Sequence, residues 1–166
     1  MAITMKTEGL EDISSQLNEL GEKAQGIAAR GLYEGAGVMS EAINKAADGI
    51  KTAPFHYAVF VTREPSPEEK AVIQAAGAGI AKFNKNGSEI DTSVGYANSG
   101  YAELNGKMVP IPKIVNAVNS GTSFMKKQPF VRKSASTAKT KALEKMREYI
   151  EKEFEAIGKS YKSSMK

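Results

Sequence analysis

Cysteine and tryptophan are absent from this 166-residue chain, and histidine occurs once, as His56. The lack of cysteine excludes a disulfide framework, thiolate metal sites and cysteine nucleophiles. It also suits a protein made in a reducing cytoplasm. No apolar run approaches the roughly 20 residues that a membrane-spanning helix needs, and residues 1–9 lack the basic-then-apolar order of a signal peptide. We therefore expect a soluble protein that makes no contact with a membrane.

These absences leave little material for catalysis. The acids nearest to His56 in sequence are Asp48 and Glu64, and the sequence holds no metalloprotease, phosphate-loop or nucleophile-elbow motif. Serine and threonine are plentiful, but they lack a histidine base. Glu89 and Asp91 share one face of a predicted strand and could hold a cation, although a solvent-facing edge explains them as well. We predict a protein that is not an enzyme, with no catalytic site, no metal site and no cofactor.

The chain length fits a single domain. We predict an N-terminal arm over residues 1–8, a core over residues 9–158 and a flexible basic tail over residues 159–166. The fold class is α+β. The core is expected to combine two long amphipathic helices and a shorter helix, packed on a small, mainly antiparallel sheet.

Apolar residues at helical spacing predict the first long helical region. One helix is expected from Leu10 to Leu20, with Gly21 as its stop, and another from Glu22 to about Ile50. The second contains glycine at positions 26, 31, 35 and 37, and each glycine costs up to about 1 kcal/mol relative to alanine. Close approach of another helix would compensate for this cost. We therefore favour one long helix, straight or kinked, over a break near residues 35–37.

The middle of the chain alternates turn signals with short apolar patterns. Ser66, Pro67 and Glu69 form a capping-box signature, which predicts a helix that runs to about Phe83. The other predicted elements are a strand-like segment over 55–62, a turn over 84–88, a strand over 89–97, a turn over 98–100, an irregular stretch over 101–106, and an edge strand or extended segment over 108–118.

Charge is distributed unevenly along the chain. Residues 1–60 carry 5 Lys or Arg against 8 Asp or Glu, residues 61–106 carry 4 against 6, and residues 107–166 carry 14 against 5. The closing helix, predicted from Pro129 to about Ile157 and ended by Gly158, begins inside a basic block that can attract a phosphate backbone or an acidic partner surface. A solvated helix face is the plainer alternative. The block consists of Lys126, Lys127, Arg132, Lys133, Lys139 and Lys141.

The segment from Val118 to Val131 is predicted to lead from a strand, through a glycine turn, into the closing helix. Such a rigid corner can hold a ligand or dock a neighbouring subunit. We favour docking, because aromatic residues are enriched at interface cores and because its apolar pair, followed by two lysines, is difficult to bury in one subunit. Phe130 could instead complete the chain's own core, and Thr122 could cap its own turn. The predicted subunit-interface residues are Gly121, Thr122, Ser123, Phe124, Met125, Gln128, Pro129 and Phe130.

The same segment carries a family resemblance. Residues 115–123, Val-Asn-Ala-Val-Asn-Ser-Gly-Thr-Ser, followed by residues 128–135, Gln-Pro-Phe-Val-Arg-Lys-Ser-Ala, resemble the Gly-Thr…Pro-Phe hallmark of the small neck and tail-completion proteins of long-tailed, siphovirus-type bacteriophages. That family is related to the tail-completion protein Z of lambda-like phages. The similarity in the order of elements covers most of residues 7–157. The chain departs over residues 65–83, where it adds a helix in place of a brief link.

The resemblance implies a non-enzymatic structural subunit of the virion. It would form a homo-oligomeric ring, a hexamer in the tail context, that joins the head connector to the tail tube and lines the path of the DNA. Its partners would be further copies of itself, the adjacent connector or stopper protein, and the tail terminator or tube protein. Its location would be the head–tail junction, and the host cytoplasm during assembly. DNA would be contacted only weakly and without sequence specificity. The alternative from another class is a small, sequence-independent nucleic-acid-binding protein that uses the basic block over residues 126–141.

Overall fold

The computed structural model describes residues 10–53, 62–87 and 89–164, and it describes side chains over 18–53, 62–87 and 89–158. The predicted arm over residues 1–8, His56 and nearly all of the strand-like segment over 55–62 lie outside the described residues. The elements are α1 (Leu10–Asp48), α2 (Pro67–Ala76), β1 (Gly79–Ile80), β2 (Asn84–Asn86), β3 (Glu89–Asp91), β4 (Val94–Gly95), β5 (Tyr101–Leu104), β6 (Lys107–Pro110), α3 (Ile111–Ser120) and α4 (Phe130–Ser164). The α+β fold class is confirmed, with short antiparallel strand pairs in place of one sheet.

Helices α1 and α4 form a long antiparallel pair. A Cβ placed on Gly31 would lie 2.8 Å from Cγ1 of Ile150, and one placed on Gly35 would meet the side chain of Met146 and lie 3.0 Å from the carbonyl oxygen of Ala142. These two glycines therefore allow the helices to approach closely. The prediction of one unbroken helix over residues 22–48 is confirmed, and close approach of another helix compensates for two of its four glycines.

Glycine does not end either long helix, contrary to the predictions for Gly21 and Gly158. A single glycine costs only about 1 kcal/mol in a helix interior. Half-buried Leu20 and Ala24 carry the apolar stripe of α1 across Gly21 towards buried Ile27. The predicted loose tail is therefore wrong for residues 159–164, which continue α4.

The start of α2 is confirmed and its predicted end is wrong. The Ser66 hydroxyl accepts a hydrogen bond from the Glu69 amide at 3.1 Å, and the Glu69 carboxylate accepts one from the Ser66 amide at 2.7 Å. The helix ends at Ala76 because the next residues are bound to α1. There the Asn44 side chain accepts a hydrogen bond from the Ala78 amide at 2.6 Å, and the Ser40 hydroxyl donates one to the Ala78 carbonyl at 2.6 Å.

Residues 79–87 and 89–95 then form one interrupted hairpin. Strand β2, which includes Asn86, pairs with β3, whereas β1 pairs with β4. Between these two strand pairs, the three residues 81–83 lie opposite the two residues 92–93. This mismatch is a bulge, and it divides the single strand that was predicted over residues 89–97. Residues 84–86, predicted as part of a turn, are a strand.

A second hairpin and α3 occupy the region that was predicted to be irregular and extended. Strands β5 and β6 are joined by Asn105 and Gly106, with φ values of +52° and +72°. This is the sign pattern of a two-residue hairpin turn. Helix α3 follows at once, with Pro112 in its first turn, where a missing amide hydrogen costs nothing. Its buried face consists of Ile111, Ile114, Val115 and Val118.

The core lies at one end of the α1–α4 pair. There the last turns of α1, with α2, α3 and the residues that precede α4, enclose a continuous apolar cluster. Within the described ranges, no helix combines the length and apolarity needed to cross a membrane. The cluster consists of Ile43, Ala47, Ile50, Ile73, Ala78, Tyr96, Ile111, Ile114, Val115, Val118, Met125 and Phe130.

Candidate functional site

The corner over residues 118–131 leads from helix α3 into helix α4, so the predicted strand before it is wrong. Gly121 ends α3 with φ of +78°, and its amide donates to the Ala117 carbonyl at 2.9 Å. A Cβ at Gly121 would lie 3.0 Å from Cβ of Lys127 and 3.2 Å from its backbone. Both the left-handed φ and the crowding require glycine at this position.

The next four residues form a tight turn, which we call the Phe124 turn (Thr122–Met125). The Thr122 amide donates to the Met125 carbonyl at 2.9 Å, and the Met125 amide donates to the Thr122 carbonyl at 3.3 Å. The Thr122 hydroxyl also accepts from the amides of Phe124 (3.2 Å) and Met125 (3.0 Å). Thr122 therefore closes its own turn, as the alternative interpretation held. Ser123 is exposed.

Arg63 attaches this turn to the rest of the molecule. Its amide donates to the Phe124 carbonyl at 2.8 Å, and its carbonyl accepts from the Lys126 amide at 2.8 Å. Its guanidinium binds both carboxylate oxygens of Glu69 at 2.6 Å. The turn is thus joined through one residue to the capping box of α2.

The ion pair between Arg63 and Glu69 is mostly shielded from solvent. Burial disfavours the charged form of Glu69, but hydrogen bonds from Arg63 and from the Ser66 amide outweigh it, so the pKa of Glu69 lies below its ordinary value. The hydrogen bond to Glu69 raises the pKa of Arg63. Both groups remain charged at neutral pH and hold the Phe124 turn in place.

Gln128 secures the other side of the corner. Its side-chain NH2 donates to the Lys51 carbonyl at 2.8 Å and to the Glu64 carboxylate at 2.6 Å, and its side-chain oxygen accepts from the Lys51 amide at 2.8 Å. Its own amide donates to the Val118 carbonyl at 2.8 Å. Gln128 was predicted to contact a neighbour, but these bonds use its side chain to join the corner to the residues after α1.

Two further residues predicted at the interface belong to the core of the chain itself. Met125 is 6% exposed and Phe130 is 8% exposed. The Phe130 ring lies edge to face with Tyr96, with 6.3 Å between centroids. Both side chains are therefore buried within the subunit and cannot contact a neighbour. For Phe130 the structure shows the alternative role, which is to complete the core of the chain itself. Phe124, in contrast, is 76% exposed, and Pro129 is exposed beside the core.

Two supporting residues were not predicted from the sequence. The buried side chain of Asn119 accepts a hydrogen bond from the Val131 amide at 3.1 Å and so caps α4 from a distance of 12 residues. The sequence pattern marked Asn119 only as part of a turn, and it did not single out Arg63. The Tyr96 hydroxyl is buried, with no hydrogen-bond partner among the described residues, and burial raises its pKa.

The six cations of the basic block are all exposed. Lys126 forms an ion pair with Glu64 at 3.0 Å. Beside it, between the end of α1 and the start of α4, lies a concavity of about 390 Å³. We call it the lysine cleft, because four lysines line it: Lys51, Lys126, Lys127 and Lys133. The first part of the basic block is brought together there with a cation that follows α1.

A larger concavity of about 660 Å³ lies between α2, α3 and the β5–β6 hairpin. Its lining includes the apolar side chains of Leu104, Val109, Ile114 and Ala117 and the paired Arg63 and Glu69. Across residues 10–53, 62–87 and 89–164, no three His, Cys, Asp or Glu side chains converge as metal ligands. Glu89 and Asp91 are exposed on β3.

Comparison of the chain with protein-family models, with curated proteins and with solved structures finds no match.

Proposed function

We propose that this protein is a structural, non-enzymatic subunit of a bacteriophage neck or tail-completion ring. In this proposal it joins the head connector to the tail tube at the head–tail junction of the virion and lines the path of the DNA. The ring is a hexamer, and the protein is present in the host cytoplasm during assembly. The observation that carries the proposal is the exposure of Phe124 at the tip of a turn that the rest of the chain holds rigid.

An exposed phenylalanine on a rigid support has the properties of an interface anchor. Covering a phenylalanine side chain is worth about 1.5–3 kcal/mol, and Phe124 leaves most of this free energy unused within the monomer. The hydrogen bonds to Thr122 and Arg63 fix its backbone before any partner arrives. Little conformational entropy is then lost on docking, which favours affinity.

The hallmark residues support the same proposal through their roles in the corner. Gly121 permits the reversal after α3, Thr122 closes the turn, and Phe130 joins the core. Gly121 has no side chain, Thr122 uses its hydroxyl within the turn and Phe130 is buried, and together they determine where Phe124 points. A Gly-Thr…Pro-Phe pattern would therefore be needed in a family that presents an anchor at this position.

A ring also requires two unlike surfaces on each subunit. Residues 1–60 carry an excess of three acids, and residues 107–166 carry an excess of nine cations. Opposite charges on different parts of one chain accelerate and orient the docking of identical subunits.

The oligomeric state tests the proposal directly. We expect the purified protein to form closed rings, which native mass spectrometry would count and negative-stain electron microscopy would show as particles with a central hole. Adding these rings to separately prepared phage heads and tails should restore joining to heads and tails that lack this subunit. A chain that stays monomeric up to high micromolar concentration would contradict the proposal.

The lysine cleft favours a second candidate, a sequence-independent nucleic-acid-binding protein. Its cations lie at the surface and face one concavity, as a phosphate-binding surface requires. This candidate requires the isolated monomer to bind duplex or single-stranded DNA with micromolar affinity or better at physiological salt. An electrophoretic mobility-shift assay under those conditions distinguishes the two functions.

A further inference from the structure

The charges in the first turn of α4 oppose the dipole of the helix. Its first turn holds no acid and contains Arg132 and Lys133, although the positive end of a helix dipole disfavours cations. The carboxylates lie in its middle instead, between residues 144 and 155, where the dipole gives them no support. The cations in the first turn are unfavourable for the isolated helix, and an anionic surface that covers this turn would remove that cost.

The lysine cleft extends this unbalanced charge beyond the helix. Lys51, Lys127 and Lys133 form no ion pair with any described residue, while Lys126 is paired with Glu64. The turn that carries exposed Phe124 adjoins the cleft directly in sequence. An exposed aromatic ring is therefore carried by the segment that leads directly into a cleft with three unpaired ammonium groups.

The middle of α4 carries a surface with an excess of acid. Four glutamates at spacings of four, three and four residues share one face of the helix, over a length of about 16 Å. They line a shallow groove together with Arg147 and Lys152, and Glu148 forms an ion pair with Lys145 at 3.5 Å. Leu143 and Phe154, each one residue before an end of this row, are 53% and 45% exposed. We call this surface the carboxylate row, which consists of Glu144, Glu148, Glu151 and Glu155.

We propose that the lysine cleft and Phe124 of one subunit dock on the carboxylate row, Leu143 and Phe154 of the next subunit in the ring. This inference rests on the proposed function and identifies the two faces that meet. Lysines face carboxylates, and aromatic and aliphatic side chains cover one another, so charge and apolar surface match together. The two faces are different parts of the same chain, so the contact is heterologous and repeats around a closed ring.

DNA is a less complete partner for the same cleft. Phosphates would balance the lysines, but they would leave Phe124, Leu143 and Phe154 exposed to water. The carboxylate row on the same helix would also repel the phosphate backbone. A second copy of the chain satisfies all of these groups at once.

Charge reversal and its repair test the contact. One variant combines Lys127→Glu with Lys133→Glu, and a second combines Glu151→Lys with Glu155→Lys. Each should weaken the association of subunits by about 10- to 100-fold, since like charges would then face one another. The chain that carries all four changes should associate within about threefold of the wild type, because complementarity is restored with the signs exchanged.

Two controls separate loss of contact from loss of folding. Lys85→Glu and Glu89→Lys reverse exposed charges on the β2–β3 hairpin and should leave the rings unchanged. Lys133→Glu places an acid in the first turn of α4, which the helix dipole favours, and the other three changes are at exposed positions. The melting temperature of the dissociated variants should therefore not fall.

Sedimentation velocity measures how much of each variant forms rings, and this measurement decides between the outcomes. This inference would be overturned if both double variants still formed rings, or if the quadruple variant associated no more tightly than the double variants. Either result would leave the proposed ring function standing. The same holds if the rings persist while Lys127→Glu with Lys133→Glu abolishes DNA binding, since the lysines would then face DNA. A wild-type chain that never forms rings would overturn both proposals.

Discussion

Two phenylalanines six residues apart have opposite environments in this chain. Phe130 is 8% exposed, packs against Tyr96 and belongs to the core, whereas Phe124 is 76% exposed on the turn before it. The difference arises from the backbone between them. Arg63 pairs with the residues on both sides of Met125, which directs Met125 inward and Phe124 outward. The chemical identity of the residue is the same, and only its position on the corner decides whether it stabilises the monomer or is available for assembly.

We expect Phe124→Asp to abolish ring formation and leave the monomer folded. Its effect on the free energy of unfolding should stay within about 0.5 kcal/mol, as is usual for an exposed position. Phe130→Ala is the matched comparison and should destabilise the monomer by about 3–5 kcal/mol, because it opens a cavity in the core. Urea unfolding and sizing chromatography measure the two effects. Intact rings of Phe124→Asp would contradict the role of this residue.

The ion pair at Glu69 predicts how stability depends on pH. The pKa of Glu69 is lowered in the folded state from an ordinary value of 4.5, so its contribution is complete above that value and is lost as the pH falls through the folded-state pKa. We expect Glu69→Gln, which retains a capping-box side chain, to cost about 1–2 kcal/mol at pH 7. The difference from wild type should shrink as the pH falls from 4.5 through the folded-state pKa. Urea unfolding across this range tests the prediction, and a difference that does not change with pH would contradict it.

At the scale of elements, the α1–α4 pair is the largest contact in the molecule, and glycine makes it possible. Gly35 faces Met146 and the backbone of Ala142, whereas a methyl group added at Gly26 would have no neighbouring atom within 4 Å. The same residue type thus permits close helix packing at one position and only weakens the helix at the other.

Substitution of these two glycines should have opposite effects. Gly26→Ala should stabilise the protein by up to about 1 kcal/mol through helix propensity alone. Gly35→Ala should destabilise it by about 1–3 kcal/mol despite the same gain in propensity, because α4 must move away from the added methyl group. Thermal unfolding of the two variants gives the comparison. Stabilisation by Gly35→Ala would show that the helices are not in close contact at this point.

At the scale of the whole molecule, the charges divide between one end of the chain and the other, and also along α4. This division separates the lysine cleft from the carboxylate row, so that a single chain offers both members of a complementary pair. The core lies beside the cleft, while the α1–α4 pair extends away from it. The molecule can therefore be described as a compact body with an extended helical arm.

This distribution predicts only weak contact with DNA. We expect binding that does not depend on base sequence and that weakens steeply with salt. With at most four lysines in the cleft, the slope of log affinity against log salt concentration should be no steeper than about −4. Fluorescence anisotropy with two unrelated duplexes at several salt concentrations measures this. A complex specific for one duplex and stable at high salt would exclude it.

Several elements could be predicted from nearby residues alone. The capping box of Ser66 and Glu69 forms as expected, because both partners lie within one helical turn. Helix α3 was missed although Ile111, Ile114 and Val118 have helical spacing, because two prolines suggested an extended chain. The hairpin turn at Asn105 and Gly106 was missed as well, although its dipeptide is a strong hairpin signal. These were errors of interpretation, since the information was local.

Other features could not be obtained from local patterns at all. The end of α2 depends on bonds from Asn44 and Ser40, more than 30 residues earlier in the chain. The start of α4 depends on Asn119, and the Phe124 turn depends on Arg63. In each case the deciding partner is distant in sequence, so no nearby pattern records it.

Local chemistry in the chain was thus sufficient for the helix cap at Ser66, for the two long apolar stripes and for the glycine reversal at Gly121, since each involves residues within a few positions of one another. Only the folded arrangement decided that Met125 and Phe130 turn inward while Phe124 remains exposed. The three side chains are similarly apolar, and their burial depends on packing and hydrogen bonds contributed by Arg63, Tyr96 and the rest of the core.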